Sequence, residues 1–390
     1  MSGIDYKKVR YAFDYLDFDV KRINQDVIWN QMMNRLGDAM KKEGVDTLIL
    51  LGQYGYGKTF IFHKLSDVLD GKTKARIPFD PNKVISCRIN ITPSEPKTKI
   101  GLAFVTSIFK NIGMSKLEEI SKKMELKHFK LLNIEMKRVF NRFREGTEKG
   151  KTAAFHWITG ESISEENKML FMRTGLNESD KALNFLTQFL VLLKRIGYHS
   201  LVVLIDEFEY VVTVYSPRKV NQMMHMFRHI YDEFAEFKKK GLTLANLIFV
   251  IAITPTGWDD LTNLEKPTSI PVRSGGAGVR PWLNRVQPIR GRNVFELRPF
   301  NREETEMLVI ARLEKKRKES EVPYETFPFV TPPFINLLYE QTKGVPKDIM
   351  QICDLVISVA LERELPEINA ENGKEILKTY HLFKEKIKTA

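Results

Sequence analysis

Three stretches of this chain are apolar at every position instead of every second or third: Leu48-Ile-Leu-Leu51, Leu201-Val-Val-Leu-Ile205 and Leu247-Ile-Phe-Val-Ile-Ala-Ile253. Short uninterrupted apolar runs describe strands buried on both faces, the form taken in parallel sheets covered by helices. Lys83 to Ile91 reads as a further strand, and Phe295-Glu-Leu297 as a short last one broken by Pro299. Between them the spacing becomes helical: Gln25 to Lys42, a helix after Thr59 whose apolar face is Phe60, Ile61, Phe62 and Leu65, another near Lys99 to Asn111, and a stretch leading into Leu201. Asn301-Arg-Glu-Glu304 carries a cap residue and first-turn acids, which opens a carboxy-terminal helical region that includes Ile349 to Leu361. The alternation predicts an α/β fold with a parallel central sheet.

One segment interrupts the alternation. From about 114 to 180 the chain is helical and basic, with Lys122, Lys123, Lys127, Lys130, Lys137, Arg138, Arg142 and Arg144 beside Leu131, Leu132, Ile134, Met136 and Phe140. That pattern suits a solvated face over a helical hairpin, or a surface for DNA or a partner. The expected organisation is a lead segment over 1–25, aromatic through Tyr11, Phe13, Tyr15 and Phe18, a core over 26–300 holding the insertion, and a helical lid over 301–390.

The ends of the buried runs carry the chemistry. The first passes into Gly52-Gln53-Tyr54-Gly55-Tyr56-Gly57-Lys58-Thr59 and on to Phe60, which is G-x-x-x-x-G-K-T between a strand and a helix. Glycines let the backbone fold tightly so that amides and a helix N-terminus face phosphate oxygens. Lys58 adds charge over the β/γ-phosphates, and the Thr59 hydroxyl suits Mg²⁺, which takes oxygen ligands. The second run ends in Asp206-Glu207. Carboxylates there face the crevice at the carboxyl ends of strands: Asp206 to hold Mg²⁺, Glu207 as the base that orients and deprotonates water. Glu209 stands two positions on, in a direction that alternation does not settle. These residues imply a P-loop nucleoside triphosphatase.

A formal net charge of +12 favours an anionic partner beyond the nucleotide, with DNA or RNA foremost and double-stranded DNA the expected nucleic acid. No run reaches about 18 uninterrupted apolar residues and the Met1-Ser-Gly-Ile-Asp5 start has no signal architecture, so a soluble cytoplasmic protein without membrane partners is expected. Cys87 and Cys353 form neither a disulfide framework nor a zinc site and read as buried core residues.

Phe155-His-Trp157-Ile-Thr-Gly160-Glu161, the later Gly175-Leu-Asn177, Gly197-Tyr-His-Ser-Leu201 running to Asp206-Glu207, and the Gly-x-Tyr-Gly-x-Gly-Lys form of the loop together resemble the ATP-binding proteins of BREX phage-exclusion systems. The resemblance extends over about residues 25 to 350, and its Trp-x-x-Gly-Glu element is more specific than the phosphate-loop motifs. It places the chain with the ring-forming AAA+ ATPases, which include origin-recognition ATPases and transposition regulators. That implies ATP with Mg²⁺, homo-oligomeric assembly, DNA, and a partner protein of a defence or mobile-element system. In AAA+ proteins a polar residue after the third buried strand contacts the γ-phosphate or attacking water, which points to Thr254, with Thr256 as alternate. A lid basic residue near a Gly-x-Pro-basic turn points to Lys347, and an arginine supplied to the neighbouring subunit points to Arg285, with Arg290 and Arg292 as alternates. The cluster also holds Arg273, Arg280 and Arg298 around Ser274-Gly-Gly-Ala-Gly278, and the same residues suit a phosphodiester backbone or plain solvent. Too few residues follow Lys347 for a winged-helix domain, so origin-specific DNA reading is not expected. The resemblance also leaves open a mobile-element regulator forming ATP-bound assemblies on DNA, or a protein-interaction switch without DNA contact.

Overall fold

The computed structural model describes residues 12–13, 26–73, 77–91, 99–130, 132–264, 279–319 and 330–382. Most of the lead segment, Leu131, and the cluster's Arg273 with its glycine-rich neighbours lie outside the described residues. The chain divides into two compact units, one of residues 30–51 and 61–296, the other of residues 1–29, 52–60 and 297–390.

The first unit is built on a parallel sheet of β1 (Val45–Leu51), β2 (Val84–Asn90), β3 (Ser200–Asp206), β4 (Asn246–Ile253) and β5 (Val294–Glu296). Its order is β2-β3-β4-β1-β5, so β3 and β4 lie between the first two strands of the sequence. Register runs Asn90 opposite Asp206, Ile205 opposite Ile251, and Leu51 opposite both Ile253 and Glu296. Every strand therefore ends on the same edge. β3 and β4 are buried at all positions, as their unbroken apolar runs require. The last strand is shifted by one residue from the expected Phe295–Leu297.

Helices Ile100–Ile112 and Pro217–Lys239 cover the sheet through an aromatic stack. Phe227 lies 5.2 Å from Phe104 and 5.1 Å from Phe249, both edge-on, a geometry that the ring quadrupoles favour. The insertion continues this core. Its helices Ile134–Glu145 and Glu148–Thr159 bring Phe140 to 5.9 Å from Phe189, and Trp157 to 5.4 Å from Phe185. Leu132, Met136 and Phe140 are buried as the pattern implied, but Ile134 is 59% exposed. Asn133 caps the helix, accepting from the Met136 amide, and Ile134 is thereby its first residue, projecting before the apolar stripe begins.

The second unit has its own core. Helices Arg302–Glu319, Pro332–Thr342, Pro346–Glu362 and Ala370–Thr379 bury Val309, Phe334, Leu338, Val356 and Ile376, and Phe13 joins them. The expected cap at Asn301 forms: its Oδ1 accepts from the Glu304 amide at 2.8 Å, while Glu304 Oε2 accepts from the Asn301 amide at 2.7 Å. Gly344, at φ +74°, has no room for a side chain, because a Cβ would fall 1.8 Å from the Phe300 carbonyl oxygen. Cys87 and Cys353 are buried thiols whose pKa burial pushes up. Among the described residues no helix is long and apolar enough to cross a membrane.

Candidate functional site

The loop after β1 belongs to the helical unit. Gly55 and Gly57 adopt φ of +86° and +91°, and helix Lys58–Leu69 begins immediately. Lys58 is buried, with its Nζ donating to the Gly52 carbonyl at 2.7 Å. An ammonium at the first position of a helix stands against the macrodipole, so loop and lysine present one concentrated positive site suited to an anion. The Tyr56 amide donates to the Gln53 carbonyl at 3.2 Å and closes the turn. Thr59 and Phe60 are half-buried in the first helical turn.

Lys347 is the second residue of helix Pro346–Glu362. Its amide donates to the Gly55 carbonyl at 3.2 Å, and its Nζ lies 4.1 Å from the centre of the Tyr54 ring and 2.5 Å from the Tyr54 hydroxyl. A Cβ on Gly55 would stand 3.0 Å from the Lys347 Cβ, so the fourth position of the loop needs glycine for the approach as well as for its φ. Sequence reasoning named both Tyr54 and Lys347 but did not foresee that they touch.

In the sheet unit, Asp206 closes β3 at 2% exposure. Its Oδ2 accepts from Arg88 Nη2 at 2.7 Å and its Oδ1 from the Glu207 amide at 3.0 Å. Arg88 was missed from the sequence, although a signal exists: Ser86, Arg88 and Asn90 alternate as polar positions along β2, the strand paired with β3. Burial, followed by the Arg88 charge, lowers the pKa of His63. Glu207 is exposed at φ +55°, a region that side-chain-bearing residues enter at a cost and that recurs at functional positions. Carboxylate and hydroxyl oxygens are hard donors, so Asp206 and Thr59 are each chemically fit for Mg²⁺.

Thr254 follows β4 and caps helix Pro255–Asn263, its Oγ1 accepting from the Gly257 amide at 3.1 Å. A hydroxyl keeps a donor and a second lone pair after such a bond, so capping leaves it able to meet water or phosphate. Thr256 lies exposed one turn-step later.

The arginines separate. Arg298 forms a two-pronged pair with buried Glu304, Nη1 to Oε2 at 2.7 Å and Nη2 to Oε1 at 2.5 Å, which ties it to the helix cap. Arg285 Nη2 donates to Asp232 Oδ1 at 2.9 Å, and Arg290 pairs with Glu296 at 3.1 Å. Burial works against the charged Asp232, but the hydrogen bond and charge of Arg285, with those of Arg228, prevail and hold its carboxyl below the usual range. Arg280 and Arg292 are exposed.

The specific Trp-x-x-Gly-Glu element is architectural. Trp157 is fully buried with its Nε1 donating to the Thr174 carbonyl at 3.0 Å. Gly160 ends the helix in the left-handed conformation at φ +78°, and Glu161 accepts from Lys110 at 2.9 Å. Gly175 lies so close to Ser162 that a Cβ would fall 2.7 Å from its Oγ.

A parallel sheet in the order β2-β3-β4-β1-β5, with a phosphate-type loop following β1 and the carboxyls of Asp206 and Glu207 at the end of β3, is the α/β fold of the P-loop nucleoside triphosphatases. Within that class, residues 105–270 match the family model described as BREX system ATP-binding protein BrxC/D. This bears out the resemblance read from Phe155 to Glu207, over a narrower span than residues 25 to 350; the phosphate loop and Lys347 fall outside it. No curated protein matches the chain. Similar solved structures include the Aeropyrum pernix ORC1 protein in complex with DNA, at TM-score 0.49 and 10% identity over 95% of this chain and 69% of that one. Another is the ORC2 protein of the same organism in its ADP form, at TM-score 0.48 and 10% identity over 95% and 72%.

Proposed function

We propose that this chain is a Mg²⁺-dependent ATPase of AAA+ type that works as a nucleotide-controlled switch or motor in a DNA-associated process, in phage defence. The observation that carries the reading is Asp206, a carboxylate kept at 2% exposure at the end of β3 and followed by Glu207 in a left-handed backbone conformation. The family's description as an ATP-binding protein of the BREX system supports both the nucleotide and the defence setting.

In this reading Gly52 to Thr59 wrap the phosphates with backbone amides, and Lys58 balances charge on the β/γ-phosphates. Bound Mg²⁺ would neutralise phosphate charge, held by Thr59 and Asp206. Glu207 accepts the proton of the attacking water, and Thr254 orients that water through its free hydroxyl proton. Lys347 turns from Tyr54 to the phosphates. Arg285 acts on the nucleotide of a neighbouring copy, which makes hydrolysis depend on homo-oligomer assembly. The net charge of +12 supports DNA as the assembly partner, in a cytoplasmic setting.

Steady-state ATP hydrolysis tests this, measured with and without double-stranded DNA over a range of protein concentrations. Hydrolysis should rise with both. Glu207→Gln should retain ATP affinity and lose about 10²-fold or more in turnover, the contribution of a positioned general base. Turnover at the parent rate in that variant would remove Glu207 from the role, and indifference to DNA and concentration would favour a switch that works through a protein partner alone.

A further inference from the structure

Asp206, read above as the cation's carboxylate, already has a cation. Arg88 Nη2 donates to its Oδ2 at 2.7 Å, with Arg88 at 22% and Asp206 at 2% side-chain exposure. The pair is single-pronged, as is that of Arg35 Nη2 with Asp46 Oδ2. Arg298 grips Glu304 with both prongs, and the same carboxylate caps a helix. Arg88 uses one prong, and its Nε is buried without a hydrogen-bond partner among the described residues. A guanidinium is built for bidentate pairing, and burying one half-used beside a buried carboxylate leaves donor capacity unspent.

We propose that Arg88 is a positioning residue that acts as the resident counter-ion of Asp206, closing the carboxylate to free divalent cations and yielding it only to a cation delivered on nucleotide phosphates. The inference rests on the reading of Asp206 as the cation's residue. A free divalent ion approaching Asp206 meets the fixed guanidinium charge and must displace its hydrogen bond. The same ion on a triphosphate arrives with several anionic oxygens, which offset the repulsion and offer acceptors to the unspent donors of Arg88. Nucleotide and cation then enter together.

The test uses Mn²⁺ as the probe, titrated into the nucleotide-free full chain and followed by electron paramagnetic resonance of the free ion. The parent should show no saturable site that depends on Asp206. Arg88→Met, and Arg88→Gln as a second variant that keeps a donor without the charge, should each gain a site at least tenfold tighter, and adding Asp206→Asn should remove it. Circular dichroism establishes which variants are folded. Folded Arg88→Met or Arg88→Gln chains that bind free Mn²⁺ no better than the parent overturn the proposal, as does a parent that already binds it through Asp206. Mn²⁺ with ATP is titrated into the parent in parallel. Uptake there with no gain in the variants refutes the counter-ion role alone, whereas no uptake removes the assignment of Asp206 and the counter-ion role together.

Discussion

In the helical insertion Arg138, Arg142 and Arg144 are consumed by the fold. Arg138 donates to the Phe171 carbonyl, Arg142 reaches the Met169 carbonyl at 2.8 Å, and Arg144 lies 4.9 Å from the Phe129 ring. At the carboxyl edge of the sheet Asp206 is buried against Arg88, whose Nε has no hydrogen-bond partner among the described residues, and Glu207 has a left-handed backbone. What separates the two regions is whether each charged group's contacts complete a helix end, a turn or an aromatic face. Where they do, the residue explains structure; where they do not, it calls for a ligand.

The comparison is broken most severely through the insertion's core. Trp157→Ala removes a fully buried indole and its bond to Thr174, and should cost about 3–5 kcal/mol of stability. Urea unfolding reads the loss, and nucleotide affinity of the folded fraction should stay at the parent value. A variant that unfolds like the parent but no longer binds nucleotide would transfer the insertion to the functional side.

Lys58→Ala should give the opposite signature, with nucleotide affinity lowered at least about 100-fold, or about 2.8 kcal/mol. Stability without nucleotide should hardly change. Since a ligand stabilises only the state that binds it, added ATP should raise the melting temperature of the parent and leave that of the variant where it was.

Much of this division was legible before the structure. Unbroken apolar runs located β3 and β4 within about a residue, because the middle of a strand buried on both faces favours apolar side chains at every position, with polar residues only at its ends. The phosphate-type loop, its helix and the Asn301 cap were equally plain, since each depends on local residue chemistry. What stayed hidden is set by pairing between distant segments. The register of β2 on β3 is what brings Arg88 to Asp206, and no local pattern contains it. The left-handed φ of Glu207 is likewise imposed from outside, because a glutamate gives no sign of it. The Trp-x-x-Gly-Glu element lies within the span that matches the family model, and its contacts serve a helix end and the loop at Thr174.

The smallest effect concerns Arg285, the residue for which the two sides of the comparison meet. Its pair with Asp232 is 45% and 40% exposed, so solvent screening limits its contribution to about 0.2–1 kcal/mol. Because Asp232 titrates below the ordinary aspartate range in the folded chain, that contribution is complete above the unfolded value and is lost as pH falls through the lower folded one. Arg285→Gln should therefore lower stability slightly near neutral pH, and the deficit should vanish in acid and shrink in high salt. Urea midpoints across pH measure it. If Arg285 also serves a neighbouring copy, the same variant loses about 10³-fold or more in hydrolysis at protein concentrations where the parent assembles. That loss cannot come from an ion pair worth under about 1 kcal/mol, so stability and turnover measured on one variant decide whether this arginine belongs with those of the insertion or with the sheet edge.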